Sequence, residues 1–252
     1  MNSFEIYSEN LIYQSTITAS SENAQFPLAN LIDPRRSKVY RSTSSNDSIV
    51  MDFNETSEVD SFFIVDDKRN GFGVHKITLE FNGTNEWSSP AATEEIEFSA
   101  QLGIGFKEFT MHSYRFCRIV LNSTLSYCEI SKIFIGKKMD LGKSINFGWS
   151  IKNNELSKKT TNRYGQIFTD LILTQKNINC SLSYLNKEQL DKIFNWLDIY
   201  KESSPFFVRI GCNEMVSDNR RFSGMVYLSD SPSISNPNFG KYNMSMTLIE
   251  AT

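Results

Sequence analysis

Few side chains in this sequence are placed to do chemistry. It holds only two histidines. His75 opens a strand-like run and His112 lies between Met111 and Ser113, and neither belongs to a recognisable nucleophile–base motif. Asp66-Asp67 and Glu94-Glu95 are adjacent carboxylates. Neighbours on a strand point to opposite faces, so such pairs do not converge on one substrate. The spaced acidic residues of a calcium loop are missing around Asp66. Leu102-Gly103-Ile104-Gly105-Phe106 contains Gly-x-Gly but no third glycine, which makes it a turn rather than a phosphate cradle. Cys117, Cys128, Cys180 and Cys212 form no Cys-x-x-Cys pair. They read as free, mostly buried thiols, with a Cys117–Cys128 bond across neighbouring strands left open. The expectation is a chain with no enzymatic activity, no cofactor and no metal site.

Binding chemistry is better represented. Trp87 lies in the polar loop Gly83–Ser88, close to Asn85, and Tyr40-Arg41 sits in a second polar stretch. An exposed indole can stack on a sugar ring while amide and guanidinium groups take its hydroxyls. The competing reading folds Trp87 back onto the protein. Trp87, Asn85, Tyr40 and Arg41 are the candidate ligand-binding residues.

These groups need a scaffold, and the pattern around them is β. Ser48–Phe53 alternates, with Ile49, Met51 and Phe53 on one face. Val59–Val65, His75–Phe81, Glu94–Ala100, Tyr114–Leu121 and Glu129–Ile135 continue the series, and Asn82-Gly83 is a turn suited to positive φ. Short strands at this spacing predict an antiparallel sandwich over residues 1–139. Apolar density drops at Gly136-Lys137-Lys138, and a second β unit is expected over residues 140–252. Its strands are Ser144–Ile151, Gln166–Thr174, Cys180–Tyr184, Phe206–Ile210, Phe222–Leu228 and Tyr242–Glu250. It also carries the one helix, over about residues 187–202. Asn186 and Gln189 fit a capping box, and Leu185 with Leu190 a hydrophobic staple. Leu190, Ile193, Phe194, Leu197 and Tyr200 recur as an apolar face, and Ser203-Ser204-Pro205 ends the helix. The fold class is mainly β with one packed α-helix.

Composition sets outer limits. The 252 residues carry a net charge of −3, which excludes a strongly basic nucleic-acid binder. Residues 1–139 hold 13 basic and 18 acidic side chains, a net of −5, and residues 140–252 hold 13 and 11, a net of +2. Apolar runs such as Phe62–Val65 fall far short of the roughly 20 residues that span a bilayer. No membrane insertion is expected, and no secretory signal is visible at the N-terminus.

Two stretches resemble known families. Thr18–Ser42, which includes Leu31-Ile32-Asp33, is followed by Ile49–Phe53 and by Val59-Asp60-Ser61-Phe62. This run resembles the opening of a discoidin-like (galactose-binding-like) jelly roll; Trp87 and Cys117–Val120 fit it, and the likeness covers about residues 12–136. The second stretch runs from Leu185–Leu190 and its helix through Ser204-Pro205-Phe206-Phe207-Val208, Gly224–Leu228 and Pro232–Gly240. It closes on a strand ending Leu248-Ile249-Glu250-Ala251. In order and spacing it is similar to the distal tail and minor tail proteins of long-tailed bacteriophages, whose domain is tail-tube-like.

The tail resemblance implies a structural component of a phage tail tip or baseplate, made in the host cytoplasm and located in the virion. It implies a cyclic homo-oligomer, most often a hexamer, that joins the tail tube to the hub. Tube, hub and tape-measure proteins are the implied partners, and DNA passes through the lumen without being held. The jelly roll would face outward, where a host-surface glycan is a further partner. Phe222–Leu228 and Tyr242–Glu250 are the expected edge or channel-wall strands, with Asn243, Ser245 and Thr247 on the wet side. The alternative is a carbohydrate-binding module for host-surface recognition.

Overall fold

The computed structural model describes residues 3–65, 73–97, 104–199, 204–211 and 223–251. Asp66-Asp67, Phe98, Gly103, Tyr200, Ser203, Cys212 and Phe222 lie outside the described residues. The first half contains β1 (Ser3–Asn10), β2 (Thr16–Ala19), β3 (Tyr40–Arg41), β4 (Asn46–Val65), β5 (Val74–Asn82), β6 (Ala92–Glu97), β7 (Ile104–Ser123), β8 (Glu129–Ile130) and β9 (Lys132–Met139). The second contains β10 (Ser150–Thr161), β11 (Ile167–Leu185), α1 (Lys187–Ile199), β12 (Phe206–Gly211), β13 (Ser223–Leu228), β14 (Ser233–Asn238) and β15 (Lys241–Glu250). The fold is mainly β with a single described α-helix, and no described helix is long and apolar enough to cross a membrane.

One antiparallel sheet runs through both halves in the order β10-β11-β15-β13-β12-β1-β9-β4-β7-β5-β6. Strand β14 adds to β15 and β2 to β4, while β3 and β8 pair separately.

Ser48–Phe53 and Val59–Val65, expected as separate strands, are the two ends of β4. Its pairing with β7 shifts register between Asp52 and Ser57 and again between Val59 and Ser61. Irregularities of this kind bend a strand and raise its twist. The first part pairs with β2 and the last part with β9, yet both feed one core. Ile49, Met51 and Phe53 meet Phe62 and Ile64 there, together with Leu79, Phe81, Ile119, Leu121 and Ile135. A sheet that curls over its own apolar face makes the layers of a sandwich. Phe63 and Val65 point the other way and pack with Tyr7, Phe134, Phe207 and Met225. The unbroken apolar run at Phe62–Val65 follows from burial on both faces.

Strand β1 has polar alternate positions and no strong signal in the sequence, yet it holds the sheet together. It pairs with β12 on one side, from Ser3↔Gly211 to Tyr7↔Phe207, and with β9 on the other, ending at Asn10↔Gly136. Phe4 and Ile6 pack in the second core with Cys180, Leu182, Ile193, Trp196, Val208, Met244 and Leu248. Gly136 is required by this contact, because a Cβ there would lie 2.1 Å from the Glu9 carbonyl oxygen.

In the second half the hydroxyl-rich and amide-rich segment 150–161 is a strand that its composition concealed. Residues 144–149, expected as strand, are irregular except for one bridge at Ser144. Gln166–Thr174 and Cys180–Tyr184 merge into the single β11. Of the two alternatives expected for β13 and β15, edge or channel wall, the edge is corrected: β13 lies between β12 and β15, and β15 pairs with β11, β13 and β14. The free ends of the sheet path are β10 and β6. The turn at Asn82-Gly83 is also different, since Gly83 has no positive φ and its N–H donates to Asn82 Oδ1 at 2.8 Å.

Helix α1 starts on the expected capping box. Gln189 N–H donates to Asn186 Oδ1 at 2.8 Å, and Asn186 N–H donates to Gln189 Oε1 at 2.9 Å. Its buried face is rotated from the expected one. Leu190, Ile193 and Trp196 are buried and Leu197 packs against them, whereas Phe194 is 46% exposed. At about 100° per residue, Trp196, Ile193, Leu197 and Leu190 fill one arc and Phe194 lies beyond its rim. Trp196 then meets Phe206 edge-on, with ring centroids 5.0 Å apart.

Two stability outcomes follow. Gly136→Ala should destabilise the chain by about 2 kcal/mol or more in urea unfolding, because backbone rather than a flexible side chain blocks the new methyl. Trp196→Ala should cost about 3–5 kcal/mol and Phe194→Ala less than about 1 kcal/mol, with the reverse ranking contradicting the helix orientation.

Candidate functional site

Arg41 leads into the best-formed binding surface of the first half. It follows Tyr40 on β3, which pairs with β8 through Tyr40↔Ile130 and Arg41↔Glu129. The Arg41 guanidinium lies between two aromatic faces, 4.2 Å from the Phe26 centroid and 4.5 Å from that of Tyr127. Its Nε donates to Glu129 Oε2 at 2.8 Å, and Nη2 donates to the same oxygen. Glu129 is buried, so this pair places a neutralised cation between rings. A guanidinium has five N–H donors. Among the described residues the other three find no protein acceptor, and the side chain remains partly exposed. Phe26 and Tyr127 are themselves half-buried. The cluster can therefore offer apolar ring surface beside hydrogen-bond donors.

Tyr40 is not part of that surface. It has no exposed area, and its ring belongs to the first core. Its hydroxyl donates to the Asp47 carboxylate and lies 2.6 Å from the Ser21 carbonyl oxygen. Burial, followed by the neighbouring Asp47, pushes this phenol well above its ordinary range. Asp47 also accepts from the Ser21 N–H at 3.1 Å, so the group ties segment 20–21 to the start of β4. The ligand-facing expectation for Tyr40 is corrected to a structural one, because a phenol this deep serves as a buried hydrogen-bond post.

Trp87 and Asn85 form a separate place in the β5–β6 connection. The Trp87 indole N–H donates to Asn85 Oδ1 at 2.8 Å. The Arg118 guanidinium stands 4.9 Å from the Trp87 ring, held by an ion pair to Glu80. The indole is half-buried and folds toward the sheet, while Asn85 is exposed. No hydrogen bond or ring contact joins Trp87 or Asn85 to Arg41. The four sequence candidates thus resolve into a ring–guanidinium cluster, a core tyrosine and an independent tryptophan loop. Phe26 and Tyr127 were missed because they stand far from Arg41 in the sequence, and no periodicity links them.

Among the described residues the other chemistry-bearing side chains are spread over separate contacts. His112 Nε2 lies 3.0 Å from Glu94 Oε1, and Lys107 donates to the other Glu94 oxygen at 2.9 Å. Burial raises the Glu94 carboxyl, but the Lys107 and His112 contacts outweigh it and hold the group below its ordinary value. His75 is exposed. Cys117, Cys128 and Cys180 are free and buried, so the open Cys117–Cys128 question resolves to two thiols. Burial pushes Cys117 up strongly, Cys128 to about 11 and Cys180 to about 12.

No protein-family model matches the chain, and no curated protein matches it. Several solved structures show partial likeness to about half of the chain. A Clostridium perfringens module, CpGH89CBM32-5, in complex with GalNAc-β-1,3-galactose aligns at 12% identity and TM-score 0.42, covering 51% of this chain and 100% of its own. Chitosan-binding module 2 from a Paenibacillus chitosanase/glucanase, in complex with chitotriose, aligns at 13% identity and TM-score 0.40, covering 51% and 100%. The lectin domain of lectinolysin complexed with Lewis B antigen aligns at 13% identity and TM-score 0.42, covering 52% and 98%. At these scores no ligand or role passes from them to this chain.

The thiol geometry has a direct check. Cys117, Cys128 and Cys180 should resist maleimide labelling in the native protein at pH 8 and should all label in denaturant, because only the thiolate attacks. Rapid native labelling at any of the three, read by peptide mass spectrometry, would contradict this burial.

Proposed function

We propose that this chain is a non-catalytic binding protein whose jelly-roll half takes a neutral surface glycan. The observation behind this reading is the Arg41 cluster. Glu129 cancels the Arg41 charge, so the site does not favour an anionic ligand. The remaining guanidinium donors suit hydroxyl and carbonyl oxygens, and Phe26 and Tyr127 suit the apolar face of a sugar ring. Trp87 with Asn85 is a second aromatic–amide pair on the same half.

A finer reading, deployment at a phage tail tip, is supported by a different observation. Strand β15 pairs with β11 only over Asn177–Leu185, while β10 and β11 stay paired out to Thr161↔Ile167. Beyond the core they form a two-stranded arm whose outer edges, among the described residues, are β10 and the 167–176 part of β11. Leu156, Tyr164, Ile167 and Phe168 are exposed on it. An isolated two-stranded ribbon is marginal in water, and exposed apolar groups on one mark a partner surface. In this reading the arms of neighbouring copies meet in a ring, hexameric by the resemblance, within a virion. Tube, hub and tape-measure proteins lie alongside, and DNA moves through the centre. A stand-alone carbohydrate-binding module would not need the arm.

One set of variants tests both readings. Phe26→Ala and Tyr127→Ala should each reduce glycan-array binding about tenfold or more without altering assembly. Ile167→Lys with Phe168→Glu should abolish higher-order species in light scattering, with glycan binding unchanged. Array signals that ignore both ring deletions would overturn the glycan site. A wild-type protein that stays monomeric, alone and with tail extract, would overturn the ring.

A further inference from the structure

A groove on the second half is built from different residues and has no part in the reading above. It has a volume of about 400 Å³ and is lined by Trp149, Asn179, Ser181, Asp230, Ser245 and Thr247, among others. That size lies within the roughly 300–1,000 Å³ of small-molecule sites. The floor is the outer face of β11 and β15. On these strands Cys180, Leu182, Met244 and Met246 face the core, so the alternate residues Asn179, Ser181, Ser245 and Thr247 face outward.

The walls are pinned. On one side, Asn146 N–H donates to the Ser181 carbonyl at 2.9 Å, and its amide donates to the Ser181 and Ser183 hydroxyls at 3.0 and 2.7 Å. The chain then turns at Gly148, whose φ is +97°, and delivers Trp149. Trp149 packs against the second core while lining the groove. On the other side, Ser229 N–H donates to the Thr247 carbonyl at 2.9 Å, which fixes the start of the segment carrying Asp230. Thr247 Oγ1 donates to Asn179 Oδ1 at 2.9 Å. Among the described residues the Asn179 amide N–H groups have no acceptor.

We infer that this groove is a binding site for a neutral pyranose. The lining excludes other classes. It contains one carboxylate and no Lys, Arg or His, so a phosphate or nucleic acid has no counter-charge. A single Asp is too few ligands for a divalent cation. Hydroxyls and an amide on the floor leave unpaired polar groups under an apolar guest. A sugar meets all three demands: its C–H face stacks on the Trp149 indole, and its hydroxyls meet the Asn179 amide, the serine and threonine hydroxyls and the Asp230 carboxylate. This inference stands apart from the Arg41 cluster, and either site can fail without the other.

The chain contains three tryptophans, one for each question, so fluorine NMR of protein labelled with 5-fluorotryptophan is the direct test. Trp149 reports the groove, Trp87 the first half and Trp196 the core. Methyl glycosides of galactose, glucose and N-acetylglucosamine are titrated to about 20 mM, enough to load sites of millimolar affinity. At least one sugar should shift the Trp149 resonance saturably and leave Trp196 in place. Ser245→Gln fills the groove at an exposed position and should weaken that titration about tenfold or more. Asp230→Asn should weaken it several-fold with the spectrum otherwise unchanged. A Trp149 resonance that stays fixed with every sugar, or a titration that Ser245→Gln leaves intact, overturns the groove site. Movement of Trp87 alone likewise overturns it and leaves the first-half reading standing.

Discussion

The structure depends on one strand lying between two cores. β1 sits between β12 and β9, and its contacts belong to both halves. Tyr7 is fully buried and meets Phe63, Phe106 and Phe134 edge-on. Its hydroxyl lies 2.8 Å from Glu108 on β7 and 2.9 Å from Glu5 on β1. Arg209 on β12 bridges the same carboxylates at 3.1 and 3.4 Å, and Lys138 on β9 reaches Glu108 at 3.1 Å. Two acids face two bases, so the group is charge-balanced across four strands. Burial, then Glu5 and Glu108, push the Tyr7 phenol far up, which keeps it a neutral donor. Removing one partner of such a network leaves another desolvated, and that penalty makes the junction specific.

This junction sets where the sheet ends. With β1 filling the middle of the sheet, the path ends at β6 and β10. The Arg41 cluster and the Trp87 loop lie in the half that ends at β6. The protruding arm lies in the half that ends at β10. Edge β10 carries Lys152, Lys158 and Lys159, together with a register shift between Leu156 and Ser157. Lysines and bulges discourage promiscuous strand pairing. Such an edge resists pairing with any exposed strand it meets.

Much of the fold was legible where burial is one-sided and local. The alternation Ile49-Met51-Phe53 and the Asn186–Gln189 capping box each state their structure within a few residues. Polar strands were not legible. β10 reads Ser-Ile-Lys-Asn-Asn-Glu-Leu-Ser-Lys-Lys-Thr-Thr and is exposed on most positions, so no apolar period marks it. β1 was hidden because its two faces serve different cores. The Phe194 error has the same root: helical spacing defines an arc, but the sheet decides where its centre falls. Of the candidate site, Arg41 and Trp87 were visible as residue types in polar loops. Tyr40 looked the same from sequence, and only its contact with Asp47 shows it to be a core residue. Phe26 and Tyr127 reach Arg41 through the fold alone.

The central claim is that the Arg41 cluster takes the glycan while the β10–β11 arm carries assembly. Electron cryomicroscopy of the assembled protein, with the chain traced in the map, tests it most directly. The account predicts a closed ring in which β10–β11 arms of neighbouring copies meet near the axis and the Arg41 cluster faces outward. Copies joined through the Phe26–Arg41–Tyr127 surface, with the arms free in solvent, would contradict it.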